Sequence, residues 1–170
     1  MGESTQGPAG SIQALILRHS LLVYRLAYVR AGNRHDADDI FQEVFLRCLK
    51  AQPAFRDEVH ERAFLIRVTV NLSRNFLKSA WRRHTVPLCE QAGYMQDACL
   101  MEEHADLTAA LDALPKKSRT ILHLHYFENM TAEEIAKALS MPASSVRVEL
   151  SRSRRKLKTK LSGEEALSHV

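Results

Sequence analysis

The chain has 170 residues, is 45% apolar and carries a net charge of +4, which excludes wholesale disorder and fits one ordinary domain or two small ones. Six Gly, five Pro and no alternating apolar run argue against a strand ladder, so helical spacing of Ala, Leu, Glu, Lys and Arg predicts an all-α protein. Charge is segregated: 13 Lys and Arg face 8 Asp and Glu in residues 1–83, none face 4 in 84–105, and 11 face 8 in 106–170.

That segregation suits two modules that touch a polyanion, joined by a connector that does not. The first ten residues are Gly-, Ser- and Pro-containing and are expected to be mobile. They lack a basic segment leading into an apolar core, so no secretion signal is read there. A helix is predicted from about Ser11 to Arg30, with Ile12, Leu15, Ile16, Leu22, Leu26 and Val29 in its apolar band. Ala31–Gly32–Asn33 is a stop signal, because Gly and Asn tolerate the left-handed conformation that ends helices. A second helix follows from about Asp36 to Ala51, its early carboxylates matching the positive end of the helix dipole, and Pro53 closes it.

After a loop, Ala54–His60, a third long helix runs to about Arg83. Thr85–Glu103 loses periodicity, holds Pro87 and Gly93, and is read as a linker. Helical pattern resumes in four pieces, roughly Glu103–Ala113, Lys116–Phe127, Thr131–Leu139 and Ala143–Leu161. Two small helical domains joined by a linker are therefore expected. Cys48, Cys89 and Cys99 form no C-x-x-C pair, so neither a disulfide framework nor structural zinc is expected. No apolar run approaches the ~18 residues of a membrane span, and a cytoplasmic protein without membrane insertion is the expectation.

In the second helix, Ile40, Phe41, Val44, Phe45 and Cys48 make the buried stripe, leaving Asp39, Gln42, Glu43 and Arg47 outside. Carboxylates at Asp36, Asp38, Asp39 and Glu43 repel DNA, so this face is assigned to protein or solvent. An Asp-rich helix start is common, and no metal site is expected from it. The third helix is different. Arg67, Asn71, Arg74, Lys78 and Arg82 share one face at ~100° per residue, with Leu65, Val68, Leu72, Phe76 and Ser79 toward the core. A cationic stripe containing Asn fits a helix laid along a nucleic-acid strand. Of the aromatics Phe55, Phe64, Phe76 and Trp81, the loop residue Phe55 is best placed to stack on a base.

The clearest local pattern is TAEEIAKALSMPASSVRVELSRSRRKL, Thr131–Leu157. Thr131 and Glu134 have capping-box spacing, Ile135, Ala136 and Leu139 form a buried stripe, and Ser140–Met141–Pro142 breaks the helix. Ser144 or Ser145 is expected to cap the next helix, whose Val146, Leu150, Leu157 and Leu161 lie on one side. Two helices across so short a turn form a helix-turn-helix, which presents the second helix to the major groove. Its outward positions are Arg147, Ser151, Arg152, Arg154, Arg155 and Lys158, suited to phosphates and guanine edges. His123 and His125 point apart at i, i+2 and are read as ordinary helix histidines. No Gly-rich phosphate loop, nucleophile elbow or H-E-x-x-H occurs, so neither an enzyme nor a cofactor is expected.

Taken together, DADDIFQEVFLRCLK, AFRDEVHERAFLIRVTVNLSRNFLKSAWRR and ALDALPKKSRTILHLHYFENMTAEEIAKALSMPASSVRVELSRSRRKL resemble the ECF (extracytoplasmic function) sigma factors of bacterial RNA polymerase, in order and spacing over about residues 12–161. The resemblance implies a mobile start (1–10), a region 2 domain (11–83), an acidic linker (84–104), a region 4 helix-turn-helix domain (105–162) and a tail (163–170). It implies that Asp39, Gln42, Glu43 and Phe45 dock on core RNA polymerase. Phe55, Arg56, Asn71, Arg74, Asn75 and Lys78 fall where the family reads and opens the −10 element. Ser145, Arg147, Val148, Glu149, Ser151, Arg152 and Arg155 fall where it reads the −35 element as duplex. Promoter DNA, core polymerase and an anti-sigma factor are the implied partners. The chain departs from the family's usual Trp at Phe64 and from its frequent Ser-Arg at Val148–Glu149. A stand-alone helix-turn-helix regulator is the alternative, but it leaves the third helix's stripe and the acidic second helix without a use.

Overall fold

Turn chemistry sets where the helices begin and end. The computed structural model describes residues 12–83 and 105–162, the side chains at 77, 79–83 and 105 excepted. Its helices are α1 (Ile12–Ala31), α2 (Arg34–Ala51), α3 (Glu58–Arg83), α4 (Ala105–Asp112), α5 (Lys116–Tyr126), α6 (Ala132–Leu139) and α7 (Ala143–Leu161). No strand occurs among the described residues, and the chain divides into two compact units, α1–α3 and α4–α7. The expected mobile start (1–10), linker (84–104) and tail (163–170) lie outside the described residues, as do the side chains of Ser79, Trp81 and Arg82.

In the first unit Gly32 alone takes the left-handed turn after α1, with φ of 83°. Asn33 is extended instead, because its side chain caps α2 by accepting from the Asp36 N–H at 2.8 Å. This cap starts α2 at Arg34, two residues before the position expected from the acidic run. Asp57 does the same for α3, accepting from the His60 N–H at 2.7 Å, and so moves that start up to Glu58. Leu22, Val23, Leu26, Ile40, Val44, Leu65 and Ile66 form the core between the three helices. Each such side chain contributes about 2 kcal/mol through burial.

The buried face of α3 is rotated from expectation. Glu61, Leu65, Ile66, Thr69, Leu72 and Ser73 are buried, whereas Val68 and Phe76 are only half-buried. Thr69 and Ser73 donate their hydroxyls to the carbonyls of Leu65 and Thr69, at 2.7 and 2.6 Å, so polar residues sit in the core without loss. Glu61 is buried against α1, where Arg18 Nη2 stands 2.6 Å and His19 Nε2 3.6 Å from its Oε1. Burial holds the His19 pKa below its ordinary value, opposed by the Glu61 charge.

The second unit packs Leu114, Ile121, Leu124, Ile135, Ala138, Val146 and Leu150 together. The capping box of α6 forms: Glu134 N–H donates to Thr131 Oγ1 at 3.2 Å, and Thr131 N–H donates to Glu134 Oε2 at 2.8 Å. Ser140 closes α6 in the left-handed conformation, φ 55°, its N–H donating to Ala136 O. The expected serine cap on α7 is absent. Pro142 takes the cap position without a side-chain bond, and Ser144 and Ser145 lie inside the first turn. Proline's fixed φ and missing N–H suit that junction, which leaves the serine hydroxyls with no capping task there.

Candidate nucleic-acid and polymerase interfaces

In α7 the 3.6-residue period separates two faces. Val146, Leu150 and Ser153 are buried, while Ser144, Arg147, Val148, Ser151, Arg152, Arg154, Arg155 and Lys158 are exposed. With Lys156 also exposed, the outer face is cationic along its length. Arg147 reaches back across the turn to Glu133 on α6 and pairs with it. Such a surface pair is worth at most ~1 kcal/mol and yields readily to a phosphate. Arg154 Nε donates to the Leu150 carbonyl at 3.3 Å.

Glu149 behaves differently from expectation. It is half-buried, and its carboxylate accepts the Ser118 hydroxyl of α5. The folded chain therefore uses Glu149 to brace α7 against α5 and does not offer it outward with its neighbours. Ser145 is also half-buried, with its N–H donating to Pro142 O at 3.0 Å. Of the seven residues expected at the upstream duplex, Arg147, Val148, Ser151, Arg152 and Arg155 are thus exposed together.

On α3, Arg67, Asn71, Arg74, Asn75 and Lys78 are all exposed, opposite the buried stripe. Arg56 is exposed in the preceding loop, its N–H 3.4 Å from His60 Nδ1. Phe55 is half-buried in an aromatic group, edge-on to Phe64 at 5.3 Å and to His60 at 5.8 Å between centroids. These contacts hold its ring against the first turns of α3 and leave the residue half-exposed. Asn71 lies roughly 10 Å further along the axis, at ~1.5 Å per residue from Phe64. A chain of a few nucleotides spans that distance.

The outer face of α2 carries Asp39, Gln42 and Glu43. His35 Nε2 is 3.8 Å from Asp39, and Arg47 Nε donates to Glu43 at 2.8 Å. These pairs are exposed, hence weak and exchangeable. Phe45, expected in the buried stripe and also implied at the docking surface, is core at 6% exposure, so it supports this face from beneath. Sequence reading missed Leu46 and Leu49, 47% and 50% exposed on the same helix. They lie at i+4 and i+7 from Gln42, beside the carboxylates. FLRCLK is rich in apolar residues, a pattern that a wider buried stripe explains equally well. Leu17 and Leu21 on α1 are likewise exposed and were not anticipated.

His35, Asp36 and Asp39 bring ligand atoms within 4.8 Å of one another, but Asp36 already accepts from the Asn33 side chain at 2.9 Å. This trio suits a helix start and gives no metal assignment. Burial pushes the Cys48 thiol pKa up, which makes it a packing residue and not a reactive one. His125 Nδ1 lies 2.9 Å from Met130 O, and His123 stacks on Phe127 at 5.3 Å, so both histidines have structural tasks. No described helix is long and apolar enough to cross a membrane.

Residues 15–83 match the family model for Sigma-70 region 2, and residues 104–157 match that for Sigma-70, region 4. The chain is 32% identical over 161 residues to the ECF RNA polymerase sigma factor SigE of Mycolicibacterium smegmatis, across 90% of this chain and 62% of that protein. It is 28% identical over 153 residues to the RNA polymerase sigma factor SigV of Bacillus subtilis, across 88% of this chain and 90% of that one. Its fold resembles the sigma factor RpoE of Bartonella quintana, solved in complex with the anti-sigma factor NepR: TM-score 0.67, 16% identity, 86% and 94% of the two chains. With both sigma modules in order along it, and with curated relatives over most of its length, the chain belongs to the ECF family of RNA polymerase sigma factors, whose members direct promoter-specific initiation of transcription.

Proposed function

We propose that this chain joins core RNA polymerase through the outer face of α2 and directs initiation by gripping one promoter at two places. A region 2 domain (11–83) holds the opened −10 strands along Asn71, Arg74, Asn75 and Lys78, with Phe55 and Arg56 at one end. A region 4 domain (105–162) holds the −35 duplex on the outer face of α7, and the 84–104 segment links the two. Separating strands costs a few kcal/mol per extruded base, offset by stacking and edge hydrogen bonds on the protein. The observation that carries this reading is that both units bury their apolar stripes and leave a cationic helix face exposed.

Asp39, Gln42 and Glu43 form the polymerase contact, with Leu46 and Leu49 as its apolar lane. Carboxylates there repel DNA and leave this face to protein. The chain works as a binding subunit in the cytoplasm, needs no cofactor of its own and leaves the chemistry to the polymerase. The Bartonella relative's complex with an anti-sigma factor supports a similar inhibitory partner for this chain.

Purification with core RNA polymerase followed by transcription from genomic fragments tests the reading. Co-elution with the core and initiation at a shared pair of sequence elements is expected. Glu43→Lys should weaken that association about tenfold, while leaving the helical content unchanged. A chain that binds a duplex tightly yet never joins the polymerase would instead be a stand-alone regulator.

A further inference from the structure

We infer that Val148 reads the C5-methyl group of a thymine in the upstream duplex, and that Glu149 beside it reads no base. This rests on α7 being the groove helix and adds the kind of base that one side chain meets. The exposed line Ser144, Val148, Ser151 and Arg155 runs along α7 at steps of four, three and four, flanked by Arg147 and Arg152. Val148 is 47% exposed at the sixth position of the helix. A single exposed valine is ordinary on a protein surface; its position is what matters here. Groove helices contact base edges from their N-terminal half, and cations on either side bring the backbone of the duplex close.

Among the groups on this face, hydroxyls and guanidinium groups meet phosphates and the polar edges of bases. Val148 neither donates nor accepts. Its two methyl groups complement one feature of an unmodified major groove, the thymine methyl. Glu149 is, by type, suited to accept from cytosine N4, but its carboxylate accepts from Ser118 on α5. Meeting a base would break that bond and carry a negative charge toward the phosphates. Glu149 is therefore a positioning residue that holds the helix, and Val148 is the specificity determinant.

The experiment uses holoenzyme formed from the full chain and core polymerase. It selects an upstream element from randomised duplexes, and the selected element is remade with deoxyuridine in place of each thymine in turn. Loss of one buried methyl should lower affinity about fourfold at one position. Val148→Ala should lower affinity for the thymine duplex by a similar factor and bind thymine and deoxyuridine equally. Glu149→Gln should leave the selected sequence unchanged. A selected element with no deoxyuridine-sensitive position, a sensitivity that persists in Val148→Ala, or a new base preference in Glu149→Gln would overturn the inference. A holoenzyme that selects no upstream sequence would overturn the reading of α7 itself.

Discussion

Arg152 and Arg147 stand five residues apart on one helix, yet their surroundings differ. Arg147 is paired with Glu133 and must give up that partner to reach a phosphate, whereas Arg152 is exposed on the outer face of α7. Arg152→Ala is expected to weaken holoenzyme binding to the upstream duplex by roughly 1–3 kcal/mol if it meets a base. If it meets a phosphate, the slope of log affinity against log salt should fall by about one. A salt titration distinguishes these outcomes, and an unchanged affinity and slope would remove Arg152 from the interface. Exposed cations such as Arg152, Arg74 and Lys78 were legible in the sequence because helical period alone assigns their face. Glu149 was not, because its inward turn depends on Ser118, 31 residues earlier in the chain. Local periodicity carries no information about a partner that far away.

At the scale of single helices, the caps were legible where side chain and spacing agree, as at Thr131 and Glu134. They were misread where proline took the task, as at Pro142, or where a cap preceded the acidic run, as at Asn33. Thr131→Ala should remove the Oγ1 acceptor of the Glu134 N–H and cost the second unit about 1 kcal/mol, read as a lower denaturant midpoint with an unchanged slope. The packing of α1 against α3 has a pH dependence of its own. Burial lowers the His19 pKa below 6.5, so the unfolded chain binds the proton more readily than the folded one. Stability of the first unit should therefore be full above pH 6.5 and fall as the pH drops through that value toward the folded one. His19→Gln should flatten this slope in urea titrations between pH 5 and 8, and a slope that survives the substitution would assign it to another group.

For the whole molecule, the two-unit organisation was legible from charge and from the loss of periodicity between the basic blocks. The apolar lane of Leu46 and Leu49 was not, since an excess of leucine reads equally well as a wider buried stripe until the neighbouring helices are in place. The proposed division of labour between the units has a measurable consequence. Asn71→Ala in holoenzyme should lower the yield of open complex about tenfold and leave the closed complex nearly unchanged. Permanganate reactivity of unpaired thymines reads the first, and competition with duplex reads the second. Equal losses in both would defeat a strand-opening role for Asn71.

Ser140 holds a left-handed backbone without being glycine, a standing cost of about 1 kcal/mol at the joint between α6 and α7. Pro142, two residues on, has its φ fixed by its ring. The direction in which α7 departs is therefore written in main-chain torsions rather than in the exposed side chains of its outer face. Residues along the outer face can be exchanged while the angle at which α7 leaves the joint stays as it was, so on the proposed reading target choice and helix direction are free to change independently.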